Sequence, residues 1–376
     1  MNLGLYIHIP FCHRRCTYCD FYLTTNLSLI DNFVDALIQE IKLYSLKYPG
    51  CTVDTVFFGG GTPSILTTNQ FDKIIRSINN NFKILSSPEI TIECNPEDIL
   101  GDTSKFYDFK SIGANRISVG VQSFIDKELS FLTRLHNGSD AVKSLEISVS
   151  LFDNVSADLI YSFNGQELCD VKYNLNKFLE LGLQHISAYT LILEKGTLLY
   201  KEYERKNLLK TVDSDNPQFY EFVNSILNSN GYNHYEVSNY AKNGFRSKHN
   251  LKYWDFDYYL GLGPSAHSFI GNNRFSNPKS LKQYTDKLSA GILPVETNDT
   301  LSATEHKNDY FISVLRCNGV NFAKYKQLFG SVFMEDFKIV AENILKLNLA
   351  VADNDSLKLN EKGFALADEI TLGFLQ

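Results

Sequence analysis

Cys12, Cys16 and Cys19 fall within eight positions of one another in "FCHRRCTYC" (11–19). A disulfide framework uses cysteines in even numbers, and a structural zinc site usually takes four ligands. Zinc here would therefore need His8 or His13 as its fourth ligand. The spacing i, i+4, i+7 would also make one stripe of a buried helix, although Pro10 stands just before the first cysteine and "HRR" separates the first two. A 4Fe–4S cluster is the third reading: each iron needs a thiolate or a substitute, so three cysteines leave one iron open to a ligand. A second chemical signal is "FFGGGTPS" (57–64), where three glycines after a strand let backbone groups approach a ligand closely. The remaining cysteines, Cys51, Cys94, Cys169 and Cys317, are scattered and read as small buried hydrophobes.

The elements that must position these residues follow from periodicity. Branched and aromatic runs between turn signals predict strands at 4–10, 53–59, 89–94, 115–121, 156–163 and 185–193. Ile30, Phe33, Val34, Leu37, Ile38 and Ile41 keep helical spacing, and 69–82, 103–112, 138–148 and 166–182 also suit helices. Six β/α units in succession predict a parallel sheet with right-handed crossovers, either open and doubly wound or curved into an incomplete barrel. In both, ligands belong at the carboxyl ends of the strands. "PFCHRRC", "GGGTPS", "NPE" and "QSF" each follow a strand directly, so four ligand-like segments should converge on one rim. From about 232 the chain turns to aromatic-rich segments with loops of Gly, Asn and Ser, and after about 295 to a helical portion ending in a short strand and helix. These shifts predict three units, 1–230, 231–290 and 291–376.

Composition bounds the function. A hydrophobic fraction of 44% with 21% charged residues is that of a folded protein. The net charge of −7 provides no global attraction to nucleic acid or anionic lipid. No basic n-region with an apolar run opens the chain, and no stretch approaches the roughly 18 apolar residues of a membrane span. With an odd number of cysteines, this reads as a cytoplasmic protein of a reducing compartment. The 21 Tyr and 27 Phe can furnish either a ring-rich core or a wall for a flat ligand.

C-x3-C-x2-C after a first strand resembles the signature of the radical S-adenosylmethionine (radical SAM) enzymes. The resemblance implies an incomplete (β/α)6 radical SAM barrel with a smaller, mainly helical C-terminal domain. It also implies a 4Fe–4S cluster on Cys12, Cys16 and Cys19 whose open iron is chelated by SAM, and an electron donor such as a flavodoxin or ferredoxin. In that family an electron from the reduced cluster splits the sulfonium bond, giving methionine and a 5'-deoxyadenosyl radical. The glycine run resembles the motif that binds the SAM amino group, which implies that role for Gly60, Gly61 and Thr62.

"YIHIPFC", "GGGTPS", "IECNPE", "ISVGVQSF" and "DLIY" stand in the order found in proteins similar to oxygen-independent coproporphyrinogen III oxidase, over residues 4–275. By position, Tyr6, Tyr18, Glu93, Gln122, Arg134 and Asp158 match that family's SAM contacts. Arg134 would pair with a carboxylate, and Glu93 or Asp158 would accept from amino or ribose hydroxyl groups. The oxidases carry a further Cys two residues after the third, where this chain has Phe21, and a longer segment before the cluster, where this chain has eleven residues. "HNLKYW" (249–254) instead resembles a motif of the heme-chaperone branch of the family. That resemblance implies heme as ligand, a heme-acceptor protein as partner, and His249 as a heme-binding residue, with His267 and His234 as rivals. Oxidation of coproporphyrinogen III, a radical SAM reaction on another small molecule and a zinc-stabilised barrel are the alternatives. One departure stands out: after "DLIY" the family usually has Gly-Leu-Pro-Gly-Gln, and this chain has "SFNGQ" (162–166).

Overall fold

The computed structural model describes residues 1–208 and 217–376. Six strands, β1 (Asn2–Ile9), β2 (Thr52–Gly60), β3 (Lys83–Cys94), β4 (Arg116–Gln122), β5 (Val155–Tyr161) and β6 (His185–Thr190), lie side by side in chain order. All five neighbouring pairs are parallel, and β1 and β6 do not close on each other, so the sheet is an incomplete (β/α)6 barrel.

A parallel sheet covered on both faces usually reads as continuous apolar runs, whereas these strands alternate. Leu3, Leu5, Ile7 and Ile9 of β1, Ile117, Val119 and Val121 of β4, and Val155, Ala157 and Leu159 of β5 point outward into one core with the helices. The intervening positions are Tyr6 and His8, then Arg116, Ser118 and Gln122, then Ser156 and Asp158. Since side chains alternate faces with period two, one register buries the apolar set under helices and lines the lumen with polar groups. The covering helices are amphipathic, as in Ile30–Lys47, which buries Ile30, Phe33, Val34, Leu37, Ile41 and Tyr44.

The segment expected to be loop-rich after 232 instead carries strands that extend both edges of the sheet. β7 (Asn233–Glu236) and β8 (Asn239–Ala241) form a hairpin on β6. β9 (Tyr259–Leu262) runs parallel to β1, and β10 (His267–Ile270), β11 (Asn273–Ser276) and β12 (Thr297–Thr300) continue outward antiparallel. Strands of three or four residues are too short to show a period, which is why they read as loops. Glu40 ties this extension to the first helix: its buried carboxylate accepts from Gly263 N (2.8 Å), Asn277 Nδ2 (2.6 Å) and Tyr284 Oη (2.6 Å). Burial raises its pKa to about 7 despite these three donors.

The C-terminal part is mainly helical, with a small sheet of β13 (Val320–Asn321), β14 (Ala350–Ala352) and β15 (Ser356–Leu359). Its own core centres on Tyr310, Phe311, Tyr325, Phe333, Phe337 and Phe374, so much of the aromatic content is structural. Cys51, Cys94 and Cys317 are buried as expected, but Cys169 is exposed at the start of helix Leu168–Glu180. Among the described residues no helix is long and apolar enough to cross a membrane.

Candidate functional site

The loop from Cys12 to Thr24 leaves the end of β1 without helical structure, so the three thiols are not a helical stripe. Cys12 N donates to Thr24 O (3.1 Å) and Thr24 N to Pro10 O (2.7 Å), which closes the loop at its base. Thr17 N donates to Thr133 Oγ1 (3.0 Å), holding its far side against the segment after β4. Cys12, Cys16 and Cys19 all line one cavity of about 400 Å³ at the carboxyl ends of the strands. The same cavity is walled by Tyr18, Gly60, Gly61, Thr62, Glu93, Gln122, Arg134 and Asp158. Every residue expected at the cluster and SAM site is thus brought together here except Tyr6, which lies one layer deeper.

A chain of hydrogen bonds links two of the thiols. Arg134 Nη1 donates to Cys16 Sγ (3.7 Å), and its Nη2 donates to Asn95 Oδ1 (2.5 Å) and Gly120 O (2.7 Å). Asn95 Nδ2 donates to Thr62 Oγ1 (3.1 Å), whose hydroxyl donates to Cys12 Sγ (3.3 Å). Both sulfurs therefore face donors, which suits thiolates. Burial pushes the Cys12 thiol up to about 11 and raises Cys19 as well, so anionic sulfur in this loop calls for a positive partner. Arg134 is partly buried; Cys16 and Glu97 beside it outweigh the desolvation and favour its charge, and its Nε has no partner among the described residues. Asn95 and Thr133 were not singled out from the sequence. The signal for Asn95 was present, since "NPE" directly follows β3.

The glycine segment passes against the loop. Gly60 has φ +101°, and a Cβ on Gly61 would lie 2.6 Å from Phe11 O and 2.7 Å from Ile9 O. Gly61 N donates to Ile9 O (2.9 Å) and Thr62 N to Phe11 O (2.7 Å). Gly61→Ala is expected to cost about 2 kcal/mol, the order found for overpacking, because the atoms in its way are backbone. A denaturant midpoint equal to that of the parent would contradict this packing.

Glu93 and Asp158 face the lumen side of the cavity. Burial and the Asp158 charge lift Glu93 to about 8, and burial lifts Asp158 to about 6 although Ser187 and Ser118 donate to it and Arg116 and Arg134 stand near. Asp158 keeps its place in β5 despite the altered turn that follows. Ser162 adopts φ +60°, and its N–H is held by Gln166 Oε1 (2.7 Å). Gln166 in turn donates to the buried Glu128 (2.9 Å). Gln122 ends β4 with φ +68°.

Beneath this cavity lies a smaller one of about 250 Å³, lined by Tyr6, Glu93, Arg116, Asp158, His249 and Tyr253 among others. Its floor is the helix Lys248–Trp254, which is the "HNLKYW" segment. Glu89 of β3 accepts from Lys248 N (3.0 Å) and His249 N (2.9 Å), and Lys252 pairs with Asp54 of β2 (2.8 Å). These bonds pin the helix toward the amino ends of the strands, on the side away from the cysteines. His249 is 1% exposed; its Nδ1 is bonded to Thr55 Oγ1 (2.9 Å) and its Nε2 to Tyr253 Oη (2.9 Å). Burial and the nearby Lys252 and Arg116 charges lower its pKa to about 3, so the ring is neutral. His8 is also engaged at both nitrogens: Nε2 donates to Tyr22 O (2.9 Å), which leaves Nδ1 to accept from Tyr6 Oη (3.1 Å). His13, on the cavity wall, points to Asp98 (3.8 Å). His234 is stacked on Tyr240 in the β7–β8 hairpin, and His267 is exposed at the start of β10. Neither lines the cysteine cavity. Among the described residues no three His, Cys, Asp or Glu side chains gather around a single point as one metal ion would need. A four-iron cube takes thiolates at separate corners, one iron apiece.

The Radical SAM superfamily matches residues 6–178. The chain is 33% identical to the heme chaperone HemW of Lactococcus lactis, over 98% of this chain and 96% of that one. It is 32% identical to the heme chaperone HemW of Bacillus subtilis, over 98% of both. Among solved structures, coproporphyrinogen III oxidase (HemN) from Escherichia coli, a radical SAM enzyme, superposes with a TM-score of 0.81 at 24% identity, over 99% of this chain and 89% of that one, a likeness of fold.

Proposed function

The chain belongs to the HemW family of the radical SAM superfamily, and on that premise we propose that it is a heme chaperone. In this reading it binds heme, carries a 4Fe–4S cluster with exchangeable SAM, and passes heme to an acceptor protein, with a flavodoxin or ferredoxin as electron donor. The observation that carries the cofactor part is the single cavity holding three thiols of one loop with donors at two sulfurs. Cys12, Cys16 and Cys19 would each hold one iron. A cluster held there would, once reduced, supply a single electron to the sulfonium of a bound SAM.

The chain's own residues do the rest. Arg134 offsets thiolate charge through Nη1 and keeps a buried Nε–H in reserve for a ligand carboxylate. Gly60, Gly61 and Thr62 shape a close backbone approach for the SAM amino group. Glu93 and Asp158, whose pKa values burial raises, are the acceptors for amino or hydroxyl groups, with Tyr6, Tyr18 and Gln122 beside them. The oxidase alternative is disfavoured by Phe21, where the oxidases have a fourth Cys. We place the protein in the cytoplasm, since seven cysteines, an odd number with four of them scattered, suit a reducing compartment.

Anaerobic reconstitution tests the reading. Iron and sulfide near four each per chain are expected, with an electron paramagnetic resonance signal of the reduced protein that changes on adding SAM. Titration should show about one heme bound, and transfer to an apo-acceptor should follow. Cys16→Ala is expected to lose most of the iron. A signal indifferent to SAM counts against the cofactor assignment, and absence of heme binding or transfer counts against the chaperone.

A further inference from the structure

The mouth of the cysteine cavity is apolar where most protein surface is polar. Phe21 is 63% exposed, Ile192 62%, Leu135 51% and Tyr189 40%, and all four line the cavity. They come from three distant segments: the cysteine loop, the turn after helix Asp126–Phe131, and β6 with its exit. Large apolar side chains left in water around one opening lose solvation free energy unless something covers them, and such patches mark binding sites. Arg14, exposed on the same wall, adds a cation at the edge. The "HNLKYW" end of the lumen is narrower and more polar. Its cavity of about 250 Å³ lies at the small end for an organic ligand; Phe21 and Tyr189 border it as well as the mouth, but Glu93, Arg116, Asp158 and Tyr253 line its depth, and the imidazole of His249 is spent on Thr55 and Tyr253.

We propose that heme docks flat across the apolar mouth formed by Phe21, Leu135, Tyr189 and Ile192, with a propionate at Arg14, and that His249 is a positioning residue rather than the iron ligand. This rests on the chaperone reading above and assigns where its ligand sits. A planar apolar macrocycle with two anionic arms matches a ring of exposed apolar side chains with an arginine at its edge. His249 then holds helix Lys248–Trp254 against β2 and keeps Tyr253 at the floor beneath Tyr6 and Glu93.

Heme titration followed at the Soret band, on the full chain with reconstituted cluster, separates the possibilities. Phe21→Asp and Ile192→Asp are each expected to weaken heme at least about tenfold, since each sets a carboxylate against the macrocycle where an apolar contact had been. Phe21→Leu should stay within a few-fold of the parent, and His249→Gln should bind heme normally. The SAM-dependent paramagnetic signal reports that the rim variants still fold and hold the cluster. Unchanged heme affinity in both Asp variants overturns the proposal. So does loss of transfer without loss of affinity, which would make the rim the acceptor's docking face. Loss of heme in His249→Gln, with the cluster signal intact, overturns it too. A parent that binds no heme sinks the chaperone reading itself, a distinct result.

Discussion

Arg134→Leu is expected to lower unfolding free energy by about 3 kcal/mol and to leave a reconstituted cluster prone to losing iron. The arginine is partly buried, wedged between the cysteine loop, Asn95 and the backbone of β4. Deleting one member of a buried charged network leaves the others desolvated and unpaired, which typically costs 3–5 kcal/mol, whereas deleting an exposed partner costs little. Here Asn95 Oδ1 and Gly120 O would each lose a donor, and Cys16 Sγ its cation. The Asn95–Thr62–Cys12 relay would lose its anchor at the same time. Arg134→Lys separates charge from geometry: one ammonium cannot reproduce a fork that reaches sulfur, amide and carbonyl together, so it should recover only part of the loss. Denaturant midpoints of the three proteins, with iron retained after anaerobic gel filtration, supply the measurement. A leucine variant within 0.5 kcal/mol of the parent and with full iron would show that the network does not matter.

Stability of the cluster-free protein is expected to fall as pH rises from 6.5 to 8.5. Glu93 has a folded pKa of about 8, and Glu40 and Glu236 of about 7, all raised by burial. A carboxyl whose pKa is raised on folding contributes stability that is complete below its unfolded pKa, near 4.3, and is lost as pH climbs through the folded value. The buried histidines act in the other direction and in another window. His8 and His234 sit near 4 and His249 near 3, so their contribution is present above about 6.5 and is lost as pH falls toward 4. At 6.5 the unfolded histidines are still about half protonated and offset part of the slope, so the carboxyls dominate from about 7.5 upward, where the raised Cys12 and Cys94 thiols act in the same direction. Integrated over that window the three carboxyls alone lose about 3 kcal/mol, of which Glu93 contributes the largest share. Unfolding at pH 6.5, 7.5 and 8.5 reads the slope, and Glu93→Gln should flatten it. A stability that rises over this range would reverse the assignment of neutral carboxyls in the lumen. A cationic ligand beside Glu93 and Asp158 should draw both toward the anion, so its binding releases protons.

Much of this molecule was written in local order. The spacing of Cys12, Cys16 and Cys19 and the glycines after β2 each express a constraint that acts over a few residues, and β/α alternation from 4 to 193 announces a parallel sheet. The carboxyl-end rule then put four segments on one rim before any side chain was placed. The polar alternates in the strands, such as Arg116, Ser118 and Asp158, were equally visible. They carried meaning only once register showed that one face of the sheet is a lumen.

What the chain order did not contain were the partners made across it. Arg134 meets Cys16 across 118 positions, Asn95 meets Thr62 across 33, and His249 meets Thr55 across 194. "HNLKYW" was recognisable as a motif, but not its place. That depended on β9 returning to pair with β1 and on Glu89 and Asp54 capturing a short helix at the far end of the lumen. Periods and turn residues report the torsional and burial preferences of neighbours, which sequence displays directly. Which strand edges meet, and therefore which buried polar groups find donors, is settled by the packing of the whole chain, and the sequence alone leaves that open.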